Sequence, residues 1–275
     1  MDILERIIAY KHIEVGGRKQ VVTTKSLERS QYFNRPTLSL KASLLNPAKS
    51  GIIAEFKRHS PSKKDINITA KVAEVTTGYT KAGVSGISCL TDTHFFKGTS
   101  EDLKIARLYN PATPILRKEF IVDEYQLIEA KSIGADVILL IAECLDKKRL
   151  AALAKFAKSL DLEVLTEIHS AEQLPKLTAD IDIVGVNNRN LKTFKVDIQH
   201  SKDLFHQIPN DFIKISESGI SHPATIVDLK EHGFQGFLIG ENFMKTDNPG
   251  DACMDFTNAV KTGLLAVGSG SGSRQ

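Results

Sequence analysis

Short β-rich runs alternate with helical runs along most of this chain, and this alternation limits the possible folds more than any other feature. Eight strands are predicted, at Ile52–Arg58, Gly86–Leu90, Thr113–Lys118, Asp136–Ile141, Glu163–Ile168, Asp182–Asn187, Phe212–Glu217 and Gly236–Gly240. Helices are predicted after them, near Ala70–Ala82, Ser100–Tyr109, Glu124–Ile133, Lys147–Ser159, Ala171–Leu177, Gln199–Gln207, Pro223–Glu231 and Gly250–Leu264. Some strands, such as Val137–Ile141, are apolar throughout, which is typical of a parallel sheet covered on both faces.

Eight consecutive βα units predict an α/β fold of the closed (β/α)8 type, a TIM barrel. The competing fold is an open, doubly wound parallel sheet. The count of eight disfavours it, and so does the lack of a GxGxxG motif after the first strand.

The chain before the first strand predicts an N-terminal helical extension. Ile3, Leu4, Ile7, Ile8 and Tyr10 recur at near-helical spacing in residues 2–12, and weaker helical patterns cover 24–32 and 39–45. We therefore predict an extension of residues 1–50 packed on a catalytic barrel of residues 51–265. Residues 266–275 are predicted to be a flexible tail, because the sequence from Gly268 onward (GSGSGSRQ) has the composition of a linker.

Composition and charge exclude several classes of function. The formal net charge of +3 is too small to indicate a nucleic-acid binder, but it suits an anionic small-molecule substrate. The three cysteines form no CxxC pair, which favours a reduced, cytoplasmic compartment. No apolar run reaches the roughly 18 residues that would span a bilayer. No membrane partner is therefore expected. For the oligomeric state, a monomer is expected, with a weak dimer as the alternative.

Charged side chains stand at the ends of several predicted strands. Glu55 and Lys57 lie two residues apart and so share one side of the first strand. The other ends carry Lys118, Glu167, Asn187 with Arg189, and Glu217. Any one of these could be a structural ion pair. Because active sites of such barrels lie at the carboxyl ends of the strands, the whole set favours an acid–base site there.

Two glycine turns follow the last two strands. Ser218-Gly219 comes after the seventh strand and Gly240-Glu241 after the eighth. Loops at these places in such barrels commonly bind phosphate through backbone N–H groups. The alternative is that both glycines only make tight turns.

Seven phrases of the sequence resemble, in order and spacing, those of the indole-3-glycerol phosphate synthase family. They are IIAEFKRHSPSK, LRKEFIVDEYQ, GADVILLI, VLTEIH, VGVNNRNL, ISESGI and LIGENFM, and they run from about Ile52 to about Met244. The resemblance also covers the N-terminal extension. It implies a carboxy-lyase of tryptophan biosynthesis that closes the indole ring of 1-(2-carboxyphenylamino)-1-deoxyribulose 5-phosphate with loss of carbon dioxide and water. No cofactor and no metal are implied.

The resemblance also implies roles for the residues at the strand ends. Lys118 would be the general acid for the ketone oxygen, and Glu167 the acid/base for the dehydration. Glu55 and Lys57 would complete the charged set, with Lys57 near the substrate carboxylate. Asn187 and Glu217 would orient the substrate hydroxyls and the key lysine.

The remaining implied residues bind the two ends of the substrate. They are Ser60, Ser218, Gly219, Gly240 and Glu241 for the phosphate, and Phe96, Phe120 and Leu139 for the anthranilate ring. Arg189 has a different implied role, which is to stabilise the catalytic glutamates. Plain packing is the alternative for the phenylalanines. The chain departs from the family pattern at Lys64, where SPSKG is common, and at Glu241, where some members have Ser.

Two other functions are weighed against the lyase. The first is another phosphate-binding barrel such as phosphoribosylanthranilate isomerase, which would be expected to use a Cys/Asp pair and to lack the long N-terminal leader. The second is a catalytically silent barrel that serves as a binding scaffold. Every expected charged position is filled, which argues against lost catalysis.

Overall fold

A closed barrel of eight parallel strands forms the centre of the computed structural model, which describes residues 2–191 and 193–270. The strands are β1 (Ile52–Phe56), β2 (Gly86–Leu90), β3 (Ile115–Lys118), β4 (Val137–Ile141), β5 (Glu163–Ile168), β6 (Ile183–Asn187), β7 (Ile213–Glu217) and β8 (Gly236–Ile239). Each strand pairs with its sequence neighbours, and β1 pairs with β8 to close the barrel. The predicted (β/α)8 fold is confirmed.

Helices surround the barrel and also precede it. The helices before it are α1 (Ile3–Val21), α2 (Thr24–Leu27) and α3 (Leu40–Leu45). The others are α4 (Val72–Lys81), α5 (Ser100–Tyr109), α6 (Glu124–Ser132), α7 (Lys147–Ser159), a 3-10 helix (Ala171–Lys176), α8 (Gln199–Phe205), α9 (Pro223–His232), α10 (Glu241–Met244) and α11 (Pro249–Gly270).

Four of the predicted helical segments differ clearly from the structure. Helix α2 ends at Leu27, five residues before the end of the pattern predicted at 24–32. Helix α1 continues to Val21, nine residues beyond the predicted end at residue 12. The predicted helix after β5 is a 3-10 helix that contains Pro175, a residue without an N–H to donate in a longer α-helix. Helix α11 runs to Gly270, while residues 271–275 of the predicted tail lie outside the described residues.

The core has two layers because successive strand residues point to opposite faces. Ile53, Leu116, Leu165 and other inward-pointing side chains fill the barrel. Ile52, Ala54 and Ile87 belong to the larger layer between the strands and the helices.

The extension touches both ends of the barrel. Leu40 and Leu44 of α3 belong to the inner core layer, and the strand starts at Gly86 and Gly236 approach them closely. At the other end, Ile7 of α1 borders the mouth where the strands finish. A (β/α)8 barrel with its amino-terminal opening plugged leaves one accessible end.

Within residues 2–191 and 193–270, no helix combines the length and the apolar character that a bilayer crossing requires.

Candidate active site

One cavity of about 540 Å³ opens at the carboxyl ends of the strands, and every predicted site residue lines it. These residues are Glu55, Lys57, Ser60, Phe96, Lys118, Phe120, Leu139, Glu167, Asn187, Arg189, Glu217, Ser218, Gly219, Gly240 and Glu241. The sequence reasoning missed two parts of the wall. Helix α1 supplies Ile3, Leu4 and Ile7, and the loop after β6 supplies apolar side chains such as Phe194 and Val196.

Lys118 lies at the centre of the charged residues. Its Nζ is 2.9 Å from Glu167 Oε2 and 2.6 Å from Glu217 Oε2. Strands β1, β3, β5 and β7 supply Glu55, Lys118, Glu167 and Glu217, and side chains from alternate strands of such a barrel form one layer. The register of the barrel therefore explains why residues so distant in sequence meet.

The ammonium group of Lys118 is held in its charged form. Burial alone would lower its pKa, but Glu167 and Glu217 outweigh burial and raise the pKa above its ordinary value. An ammonium carries three N–H donors, and the described residues take two of them. The third donor can reach an oxygen atom of a substrate in the cavity.

The two carboxylates beside Lys118 have different environments. Burial alone would raise the pKa of Glu167, but Lys118 and His169 lower it to about 2, and Asn187 Nδ2 also donates to Glu167 Oε1 over 3.0 Å. Burial raises the pKa of Glu217 to about 7 against the opposing charge of Lys118. Glu217 Oε1 accepts no hydrogen bond from the described residues. Near neutral pH, Glu167 is therefore anionic and Glu217 is the carboxyl group that can hold a proton.

Two glycines make room for the buried glutamates. A Cβ atom at Gly185 would overlap Glu217 Oε1, and one at Gly240 would lie 2.6 Å from Glu55 Oε1. The need for glycine at both positions is steric and comes from the side chain opposite, so Gly185 is a further residue that shapes the site.

Glu55 and Lys57 form a second ion pair at the end of β1. Lys57 Nζ lies 2.6 Å from Glu55 Oε1, and Ser88 Oγ donates to Glu55 Oε2 over 3.4 Å. The Glu55 side chain is buried, whereas that of Lys57 is partly exposed to the cavity. Lys57 can therefore meet an anionic ligand while Glu55 fixes its position.

The loops after β7 and β8 form the other end of the cavity. Ser218 and Gly219 both have positive φ angles, +70° and +78°, and Asn188 Nδ2 donates to the Ser218 carbonyl oxygen over 3.1 Å. A side chain at position 219 would overlap Val196. Glycine is therefore required at position 219 by its backbone conformation and by the close approach of the neighbouring loop.

Glu241, one of the two departures from the family pattern, pairs with cations at the cavity rim. Its carboxylate lies 3.4 Å from Lys63 Nζ and 3.7 Å from Arg189 Nη2. The resemblance implied that Arg189 stabilises the catalytic glutamates, but the structure places its guanidinium group beside Glu241 instead.

Aromatic rings stand at the side of the cavity next to α1. The ring centroids of Phe96 and Phe120 are 5.8 Å apart with an interplanar angle of 38°. Leu139, buried at the barrel centre, lines the same cavity. A planar apolar group fits such surroundings.

The raised pKa of Glu217 predicts how stability changes with pH when it is replaced. A carboxyl group whose pKa is raised in the folded state stabilises the fold most below its unfolded-state pKa and loses this contribution as pH rises through the folded value. We expect Glu217→Gln to match the melting temperature of the wild type near pH 5 and to exceed it near pH 8. Thermal unfolding of both proteins from pH 5 to 8 measures the difference. A difference that does not grow with pH would contradict the proton assignment.

Comparisons with known proteins agree with this geometry. The sequence model of the family described as indole-3-glycerol phosphate synthase matches residues 4–256. A protein of that name from Bacteroides thetaiotaomicron is 47% identical over 260 residues, which cover 94% of this chain and 99% of the relative. A protein of the same name from Salinibacter ruber is 41% identical, with 92% of this chain and 94% of the relative covered.

Solved structures resemble the fold at much lower sequence identity. The 3-hexulose-6-phosphate synthase of Salmonella typhimurium superimposes with a TM-score of 0.62 at 13% identity, covering 77% of this chain and 98% of the other. That likeness supports the barrel alone. The family match over nearly the whole chain is more specific, and the chain belongs to the indole-3-glycerol phosphate synthase family, whose members are decarboxylating lyases of tryptophan biosynthesis.

Proposed function

We propose that this protein converts 1-(2-carboxyphenylamino)-1-deoxyribulose 5-phosphate into indole-3-glycerol phosphate, carbon dioxide and water. The observation that carries the proposal is the Lys118 ammonium group held between Glu167 and Glu217. The aromatic pair lies on one side of this centre and the two glycine turns on another, within one cavity. Such a cavity can hold a substrate with an aromatic ring at one end, a phosphate at the other and a ketone between them.

Ring closure is assigned to Lys118. The ring carbon that bears the carboxylate attacks the ketone carbon, and the new carbon–carbon bond pushes an electron pair onto the ketone oxygen. The free N–H of Lys118 gives a proton to that oxygen, which becomes a hydroxyl group. The bond to the carboxylate then breaks, carbon dioxide leaves, and its electron pair restores the aromatic ring.

Dehydration is assigned to Glu167. Glu167, which is anionic near neutral pH, takes the proton that the neighbouring carbon loses as the indole double bond forms. It passes this proton to the hydroxyl group, which leaves as water. Glu167 lies within hydrogen-bond reach of Lys118 and Asn187, so it can exchange protons in the same small volume. Asn187 and Glu217 are assigned the orientation of the substrate hydroxyls and of Lys118.

Binding of the two ends of the substrate is assigned to the cavity walls. Phe96, Phe120 and Leu139 take the anthranilate ring, and Lys57 faces its carboxylate. The phosphate is assigned to the residues at the opposite end, Ser60, Ser218, Gly219, Gly240 and Glu241, with Glu241 acting through its backbone N–H because its side chain turns to Lys63 and Arg189.

We propose, in addition, that residues 1–50 and the barrel act as one functional unit in the cytoplasm. Ile3, Leu4 and Ile7 of α1 line the cavity, which supports the functional unity of the extension and the barrel. The three cysteines form no disulfide, which supports the cytoplasmic location.

A fluorescence assay with purified protein tests the function. Indole-glycerol phosphate is expected to form from the carboxyphenylamino substrate at the same rate with and without excess EDTA. No product from a folded sample would refute the proposed function and favour another phosphosugar substrate or a silent barrel. Product formation that stops in EDTA would refute the metal-free mechanism.

A further inference from the structure

A lysine of the N-terminal helix is completely buried among carboxylates at the edge of the cavity. Lys11 Nζ lies 2.6 Å from Glu14 Oε2 on its own helix, 2.8 Å from Asp92 Oδ2 and 3.0 Å from Glu119 Oε1. The side chains of Lys11, Asp92 and Glu119 have no exposed surface. Burial alone would lower the pKa of Lys11, but Glu119 and Asp92 raise it above its ordinary value, so the ammonium stays charged.

The two barrel carboxylates that face Lys11 also hold the backbone of the aromatic pair. Asp92 Oδ1 accepts from the backbone N–H groups of Phe95, over 2.7 Å, and Phe96, over 3.0 Å. Glu119 Oε1 accepts from the backbone N–H of Phe120 over 2.9 Å. One ammonium group therefore connects the segments that present both rings to the cavity.

We propose that Lys11 is a positioning residue for the aromatic end of the substrate. It holds Asp92 and Glu119 together, and through them it fixes the separation and tilt of the Phe96 and Phe120 rings. This inference rests on the proposed function, because that function gives the aromatic pair its ligand.

The charge of Lys11 is what keeps these carboxylates in place. Both face the same ammonium, so its removal would leave two buried like charges opposed to each other. Such a pair either takes up a proton or moves apart. Glu119 keeps other partners, because Thr91 Oγ1 donates to Glu119 Oε2 over 2.8 Å and Arg117 Nη2 lies 3.9 Å from the same oxygen. No second cation lies beside Asp92 among the ion pairs of the described residues, so Asp92 depends on Lys11 for its countercharge. The backbone segments of Phe96 and Phe120 would follow their acceptors.

The same helix also forms part of the wall. Ile3, Leu4 and Ile7 lie one to two turns before Lys11 and line the cavity directly. Helix α1 therefore contributes to the aromatic end both by contact and through the carboxylates that Lys11 holds.

Substitution of Lys11→Met tests the role, since methionine keeps much of the apolar stem and removes the charge. We expect KM for the carboxyphenylamino substrate to rise at least about tenfold, while kcat changes less than about threefold. We also expect weaker binding of anthranilate, which probes the aromatic end, and unchanged binding of ribulose 5-phosphate, which probes the phosphate end.

Arg18→Met is the matched control on the same helix. Arg18 Nη1 lies 3.0 Å from Glu129 Oε2, and Arg18 also pairs with Glu14, the helix carboxylate that Lys11 contacts. This variant therefore removes an ion pair between α1 and the barrel and a partner of Glu14, but it leaves the contacts of Lys11 with Asp92 and Glu119 in place. Glu129 keeps Arg117 as a partner at 2.5 Å. We expect KM of this variant to stay within about twofold of the wild-type value.

The outcomes separate the inference from the proposed function. Absence of turnover in the folded wild type refutes the function, whereas an active wild type and an unchanged KM in Lys11→Met refute the role of Lys11. Equally weakened binding of anthranilate and of ribulose 5-phosphate, or the same KM change in Arg18→Met, also refutes the role of Lys11.

If Lys11→Met does not fold, Asp92→Asn provides the test, because asparagine keeps the acceptor for the Phe96 N–H. A KM rise of about threefold is expected, and an unchanged KM contradicts the role.

Discussion

Substitution of Lys118→Ala is expected to reduce kcat at least about a thousandfold, because general-acid catalysis and charge stabilisation are lost together. The ketone oxygen would no longer find a donor as the ring closes. In single-turnover experiments, the rates of carbon dioxide release and of indole-glycerol phosphate formation should therefore fall to the same extent. Wild-type-like turnover in this variant would refute the assignment of Lys118 as the acid.

The fold of the Lys118→Ala variant should persist. Removal of the ammonium leaves Glu167 and Glu217 close together, and the higher pKa of Glu217 lets that group take up the proton that removes the repulsion. Circular dichroism and thermal unfolding check this point. Lys158→Ala is the matched control, because Lys158 pairs with Asp182 over 2.8 Å just before β6, at the end of the barrel away from the cavity. Its kcat should equal that of the wild type.

Substitution of Glu167→Gln is expected to lower kcat about a hundredfold or more while the ring-closure step survives in part. Glutamine keeps the shape of the side chain but can no longer donate or accept the proton that dehydration requires. The two assigned steps should therefore separate. In a single turnover, carbon dioxide should be released faster than indole-glycerol phosphate forms, in contrast to Lys118→Ala.

The control for this second variant is Glu143→Gln. Glu143 lies in the loop after β4 and accepts a hydrogen bond from Gln173, outside the described cavity. Its substitution should leave both signals unchanged. Simultaneous formation of carbon dioxide and indole-glycerol phosphate in Glu167→Gln, whatever the rate, would assign dehydration to another group.

The strands could be predicted from the sequence because parallel barrel strands are short, apolar and bounded by turns. Every predicted strand lies within two residues of its observed bounds. The site residues could be predicted for a related reason. Polar residues such as Lys118 and Glu167 stand at or next to the carboxyl ends of the predicted strands, and a closed parallel sheet brings all such ends to one opening.

Helix α1 shows where this reasoning stops. Gly16 and Gly17 stand within it and argue against a helix on propensity alone, yet the helix continues through them. The sequence analysis singled out neither Lys11 nor Arg18, yet both pair with carboxylates of the barrel, and Glu129 is 111 residues from Arg18. Tertiary ion pairs of this kind leave no local pattern in the sequence.

The asymmetry between Glu167 and Glu217 is equally invisible in the sequence. Both are single glutamates at strand ends. Their pKa values diverge because Asn187 and His169 lie beside one, while the other presses against Gly185 without a second donor among the described residues. Asn187 and Gly185 come from another strand of the barrel, β6, so a local sequence pattern does not reveal their contacts with the two glutamates.

The long-range docking of α1 has a consequence for the order of events during synthesis. This helix leaves the ribosome before the barrel does, and Glu129, which Arg18 contacts, follows Arg18 by 111 residues. At translation rates of about 5–20 residues per second, that delay is on the order of ten seconds. Throughout this interval Ile3, Leu4 and Ile7 have no barrel mouth to cover, so the nascent chain presents an apolar helix face to chaperones before its enzyme exists.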